Sequence, residues 1–244
     1  MKVLKKTGSY LRNKALRRLS VTIFLMTIFA LVVVSGVPFS SIYVNLGRYE
    51  AVRALFLLIL LFFAVVFYRS YAGYRRGSEG EKTVTKILTS TLGDEYSLIN
   101  DVYIHDGYGN IDHIVLGPNG VFVIETKNYA GRIVCDGDEW SSQHTGKFNR
   151  LLHYDLGSPS RQVKRNALRV KRVIENIDAF KSKRIWVDGL LVFANKRVDL
   201  RINNPTVPIL RASNLPDFII KKKTDSEFSA EDLKLIGKEI LRQK

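Results

Sequence analysis

Cysteine is nearly missing from this chain: Cys135 is the only one in 244 residues. No intrachain disulfide can form and no cysteine-rich zinc site can be built, which suits a reducing compartment. A Gly-rich phosphate loop followed by Lys-Ser or Lys-Thr is also absent, and this disfavours an ATP-driven motor. There is no internal repeat. Acidic residues are scarce at one end. Residues 1–76 hold 12 Lys/Arg against one acid, Glu50, while residues 77–244 hold 26 Lys/Arg and 22 acids. The formal charge of +15 therefore belongs mostly to the N-terminal third. It is a weak argument for nucleic acid, whose electrostatic footprint should lie on the binding domain itself.

What that N-terminal third has instead is apolar length. Residues 1–18 carry Lys2, Lys5, Lys6, Arg12, Lys14, Arg17 and Arg18. Residues 19–37 then contain no charge, and residues 54–68 form a second, shorter uncharged run, extendable if Arg53 snorkels. A bilayer span takes about 20 apolar residues. Arg69, Arg75 and Arg76 follow the second run, so the positive-inside bias puts both ends in the cytoplasm around a short outer loop. Tyr68, Tyr71 and Tyr74 suit the headgroup layer. The expectation is a multi-pass hairpin in the inner membrane, with a cytoplasmic soluble domain. Two alternatives stand beside it. A cleaved signal peptide would need a better site than Val-Ser-Gly-Val at 34–37. Two buried core helices would need a polar face these runs lack. Neither run contains an ionisable residue to mark a transport pathway.

The soluble portion opens at Gly77. Its pattern predicts an α/β fold, an α+β mixed sheet flanked by helices. Ser78 to about residue 91 reads as a helix with Val84, Ile87, Leu88 and Leu92 on its apolar face. Ser78 and Glu81 fit a capping box, yet Glu81 also faces the buried side, and the two roles are compatible; Glu79 is the weaker substitute. Residues 97–104 read as a strand, and 141–158 as a loop or insertion. Pro159 and Ser160 open a helix to about residue 177. Its stripe is Val163, Ala167, Val170, Ile174 and Ile177, with Arg161, Lys164, Arg165, Arg169, Lys171 and Arg172 on the other faces. Those bases are candidates for phosphate contact, for a solvated face, or for anionic headgroups. Residues 185–194 read as a central strand, 206–210 as a short edge strand containing Pro208, 215–222 as a short helix and 229–241 as a last helix capped by Ser229. The domain limits are 1–76, 77–195 and 196–244.

The informative stretch is 111–127, two short apolar strands around Gly-Pro-Asn-Gly. Asp112, Glu125 and Lys127 interrupt runs that should be buried, and buried charges are costly unless paired, hydrogen-bonded or metal-bound. With a loop from Gly117 to Gly120, Leu116 opposes Val121 and Asp112 lies across from Glu125, with Cβ atoms roughly 5 Å apart. A Pro-Asn-Gly loop with a bulge at Gly120 would instead put Asp112 opposite Thr126. Two carboxylates in the first register could share Mg2+ or Mn2+. The metal would activate water and offset phosphorane charge, with Lys127 beside it. The plain alternative is an ion pair at a strand end. His113 reads as a hydrogen-bonded structural histidine, and Trp140 as packing.

Gly-Ser-Glu-Gly-Glu at 77–81, Ile-Asp-His-Ile-Val at 111–115, Gly-Val-Phe-Val-Ile-Glu-Thr-Lys-Asn at 120–128 and Gly131 resemble the nuclease-related domain (NERD) family. That family is grouped with restriction-endonuclease-like PD-(D/E)xK folds. The resemblance spans about residues 77–195. It implies Glu81, Asp112, Glu125 and Lys127 as the catalytic set, with Gln162 as helper, and Asp112, Glu125 and Glu81 on the metal. Ile111 stands where the superfamily name has proline.

Three functions follow. The first is a membrane-anchored, Mg2+- or Mn2+-dependent nuclease acting on nucleic acid, DNA ahead of RNA, as a possible homodimer. Arg161, Lys164, Arg165 and Arg169 would then meet phosphates. The second is an inactive nuclease-like module that binds nucleic acid or protein at the membrane. The third is a small membrane protein whose hairpin does the work.

Overall fold

The computed structural model describes residues 1–6, 10–34, 46–105, 107–145, 151–183, 185–223 and 228–243. The chain divides into two compact units, Met1–Gly8 with Glu79–Lys244, and Ser9–Ser78.

The second unit is helical. Helix α1 spans Tyr10–Val34, and α2 runs unbroken over Leu46–Thr91. The Arg18 guanidinium lies 5.0 Å from the Phe67 ring centre and the Lys14 amine 4.8 Å from that of Tyr74. One number falls as the other rises, so the helices run antiparallel. Both are long and apolar enough to cross a membrane. Their apolar side chains point outward, with Phe24 and Leu58 each 64% exposed. Little of either apolar span is buried within the described residues, unlike the core helices of a soluble protein. Residues 35–37 of the first apolar run lie outside the described residues.

The continuity of α2 corrects the expected helix start at Ser78. Three glycines, Gly73, Gly77 and Gly80, weaken the helix by about 1 kcal/mol each without breaking it. Ser78 sits inside the helix, so no capping box forms and Glu81 has no capping duty.

The first unit is built on a six-stranded mixed sheet. Its strands are β1 (Lys2–Lys5), β2 (Ser97–Val102), β3 (Ile111–Gly117), β4 (Gly120–Lys127), β8 (Val187–Phe193) and β10 (Ile209–Arg211), in that spatial order. The three strands β2, β3 and β4 form an antiparallel meander, and β8 joins β4 in parallel. Strand β1 is a correction: a segment read as basic membrane flank pairs in parallel with β2. Its few residues carry no periodic signal, and the pairing is made by backbone groups that any side chain permits.

The sheet is covered on both faces. Val84 and Leu88 of α2 and Leu92 just after it, with Leu215 and Ile219 of α4 (Leu215–Lys221), bury Val115, Phe122, Ile124 and Leu190. On the other face, Val170 and Ile174 of α3 (Pro159–Glu175) and Ile236 and Ile240 of α5 (Ala230–Arg242) bury Ile114, Leu116, Val121 and Val123. Ser158 caps α3 and Ser229 closes a capping box on α5. A smaller sheet orders β7 (Leu151–Asp155), β6 (Glu139–Thr145), β5 (Gly131–Asp136) and β9 (Val198–Asn203). So 141–158, read as a loop, holds two strands around 146–150, which lie outside the described residues. Its alternation was masked by polar residues on both faces. Trp140 is buried and stacks on Phe193 at 5.9 Å, as packing.

Candidate active site

The tight turn between β3 and β4 decides where the acids lie. Gly117 pairs with Gly120 and Leu116 with Val121. The bulged alternative does not occur. Gly120 takes φ 141, open to glycine, and the Asn119 side-chain amide donates to the carbonyls of Ile219 and Lys222. The paired register runs back to His113 opposite Ile124, and one further step sets Asp112 beside Glu125. The Thr126 N–H donates to Asp112 Oδ2 at 2.7 Å.

Glu125 is buried, 2% exposed. Lys127 Nζ donates to its Oε1 at 2.8 Å and to Gln162 Oε1 at 3.1 Å. The other oxygen, Oε2, accepts from Asn166 Nδ2 at 3.3 Å. Helix α3 therefore supplies two amide side chains, one turn apart, to the strand that carries Glu125 and Lys127. Glu81 enters from α2. Its helix comes close because Gly80 has no side chain: a Cβ there would stand 2.8 Å from the Asn128 Cβ.

The charges press on one another. Burial, then Asp101 and Glu125, push the Glu81 carboxyl up to about 7, with Lys127 opposing. Burial, then Glu125 and Glu81, raise Asp112 well above the usual carboxylate range, against the Thr126 N–H and Lys127. Burial also raises Glu125, against the pull of Lys127, Arg165 and Asn166. For Lys127, burial lowers the amine, but Glu125, Tyr129 and Asp112 outweigh it and the net direction is upward. Three buried or part-buried carboxyls thus act on one another, offset chiefly by Lys127, with Arg165 also acting on Glu125. Asp101, which acts on Glu81, holds a left-handed φ of 53, and Asn110 donates to its carboxylate.

A surplus of hard oxygen donors is the chemistry that suits Mg2+ or Mn2+. Among the described residues no group of three His, Cys, Asp or Glu side chains stands close enough to ligate one ion. Two carboxylates with waters remain sufficient for Mg2+, which keeps much of its hydration. Asp112 and Glu125 fit that pair, and Glu81 acts electrostatically on Asp112.

The basic residues of α3 separate into different places. Arg161 and Lys164 turn to Asp138, at 3.6 and 2.7 Å. Arg169, expected on the outer charged face, is 4% exposed. It donates to Asn166 Oδ1 at 3.0 Å and to the carbonyls of Gly109 and Ile104 at 2.9 and 3.3 Å. Of the four candidates for phosphate contact, Arg165 is exposed on the site's side, its guanidinium 4.7 Å from the Tyr108 ring centre. His113 is buried and bonds Asn100 Oδ1 through Nδ1 at 2.7 Å, the structural role expected of it. Asn166 was missed at the level of sequence. Its signal is a polar residue one turn after Gln162, inside the stripe from Val163 to Val170.

Residues 76–194 match the model of the nuclease-related domain, NERD. An uncharacterized protein of Bacillus anthracis is 43% identical over 61 residues, 24% of this chain. The match spans 29% of that relative's own length. No solved structure matches the chain. With the sheet, the paired acids and Lys127 in place, residues 76–194 of this chain are a NERD nuclease-related domain.

Proposed function

We propose that the protein is a membrane-anchored, divalent-metal-dependent nuclease that hydrolyses phosphodiester bonds at the cytoplasmic face of the membrane. The observation that carries this is the β3–β4 register that brings Asp112 next to Glu125, with Lys127 hydrogen-bonded to both Glu125 and Gln162 and burial raising both carboxyls. Uncompensated negative charge in a buried pocket is costly unless a cation is meant to share it. Asp112 and Glu125 would hold Mg2+ or Mn2+, with Glu81 reaching it directly or through water. The ion, when bound, would supply a water of lowered pKa and a charge to face the phosphate. Lys127, released from Glu125, offsets developing charge, and Gln162 fixes the amine's direction. Asn166 holds Glu125 in place from behind.

The membrane part rests on two observations. Residues flanking the apolar helices on both sides, 1–8 and 79–244, fold into one unit. A chain that leaves and re-enters one folded body crosses a bilayer an even number of times. The basic flanks, Lys2 to Arg18 and Arg69 to Arg76, then favour the cytoplasmic side. Double-strand cutting by such a site would take two copies of the chain on DNA.

The deciding experiment is cleavage by the full-length protein in detergent, over single- and double-stranded DNA and RNA with Mg2+ or Mn2+. Metal-dependent cleavage that Glu125→Ala and Lys127→Ala each abolish is expected. Absence of cleavage on every substrate would sink the reading. It would favour the inactive binding module, for which one observation speaks: both Glu125 oxygens already have hydrogen-bond partners.

A further inference from the structure

Two tyrosine rings between β2 and β3 reach the surface. Tyr103 is 42% exposed and Tyr108 50%. The Tyr103 ring meets His105 edge-on at 4.9 Å. Two guanidinium groups lie under Tyr108, Arg165 at 4.7 Å and Arg169 at 5.7 Å from its centre. The backbone on either side of the rings is tied down by one side chain. Arg169 clamps the carbonyls of Ile104 and Gly109, and the side chains of Val102 and Ile104 are buried. The Tyr108 ring therefore rests on two guanidinium groups, one of which also holds the neighbouring Gly109 carbonyl.

The same arginine ties this platform to the site. Arg169 donates to Asn166, and Asn166 donates to Glu125. Arg165, which backs Tyr108, also acts electrostatically on Glu125. An exposed ring plane backed by a cation is the combination that binds unstacked bases along a strand. Duplex DNA hides its base faces and has no use for such rings.

We propose that Tyr108, on its Arg165 support, forms a base-stacking ledge. It would lead a single-stranded nucleic acid into the Asp112–Glu125 site. This rests on the nuclease reading and names its substrate class: strands, ends or flaps with unstacked bases.

The test uses the full-length chain in detergent with EDTA, so that binding is read apart from cleavage. Fluorescence anisotropy compares oligothymidylate, oligouridylate, a duplex and an abasic sugar-phosphate strand, each about 20 units long, beyond the site size of one stacking platform. The base-bearing single strands should bind roughly tenfold or more tighter than the abasic strand. Tyr108→Ala should erase most of that gap, and Tyr108→Phe should keep it. Equal affinity for base-bearing and abasic strands overturns the proposal. So does a Tyr108→Ala protein that melts and binds like the parent. Cleavage with Mg2+ is scored separately. Tyr108-dependent binding without cleavage keeps the ledge and ends the nuclease reading. Cleavage indifferent to Tyr108 ends the ledge and leaves the nuclease reading in place.

Discussion

Glu81 carries a stability cost with a sign that can be worked out. Its carboxyl is pushed from 4.5 up to about 7 by burial and the neighbouring acids. The folded state therefore binds this proton more tightly than the unfolded state. Stability falls as pH rises from about 4.5 to about 7, and the full cost is present above that window. Glu81→Gln should raise the melting temperature of the metal-free protein at pH 8. The gain, on the order of 1–2 kcal/mol after allowance for solvent, corresponds to a few degrees. At pH 4 the gain should vanish. Calorimetry at both pH values checks it; an unchanged melting temperature at pH 8 would place Glu81 in water. His113 has the opposite sign. Burial lowers it to about 3, so the unfolded state takes the proton first, and stability is lost as pH falls from about 6.5 towards 3. Lys127 is the cation hydrogen-bonded to the buried Glu125 carboxylate. Lys127→Ala strands a buried carboxylate and should cost about 2–4 kcal/mol at pH 8. Urea titration should find a smaller cost for the pair Glu125→Gln with Lys127→Met, because no unpaired charge remains.

At the scale of elements, two glycines of one helix make opposite demands. Nothing lies within 4 Å of a Cβ built on Gly73, whereas one on Gly80 would press to 2.8 Å against Asn128. Alanine improves helix propensity at both by about 1 kcal/mol. Gly73→Ala should therefore raise the melting temperature and Gly80→Ala lower it, since α2 must retreat from the end of β4 and take Glu81 with it. Equal shifts in a thermal melt would mean that the close approach is not tight. Strand β1 depends on one side chain in a similar way. Asn100 donates to the Lys5 carbonyl at 3.1 Å and accepts from His113 at 2.7 Å. Asn100→Ala takes the partner from the buried His113 ring nitrogen and from the part-buried Lys5 carbonyl and should cost about 2 kcal/mol. Hydrogen exchange should show the loss first at residues 2–5.

For the whole molecule the testable matter is sidedness. Cys135 is 1% exposed, so a cysteine introduced at an exposed position can be labelled against little background. Lys6→Cys and Lys238→Cys should both resist a membrane-impermeant maleimide in intact cells and react after permeabilisation. Labelling of one without the other would break the even-crossing topology. The apolar helices place this expectation in the chain before any packing is known, because a run of uncharged residues has few options in water.

Local chemistry determined a good deal by itself. The apolar stripes of the helices at 78–91, 159–177 and 229–241 were readable because three- and four-residue spacing survives in any context. The paired acids with Lys127 stood out because charges interrupted apolar strands. What spacing cannot carry is which face meets which. Only the turn geometry at Gly117 and Gly120 placed Asp112 beside Glu125, since a slip of one residue would have reversed the side chains. Only packing drew Arg169 inside, set Asn166 behind Glu125 and added β1 to the sheet edge. These outcomes depend on contacts between residues far apart in the chain, and such contacts are chosen by the shape of the folded core.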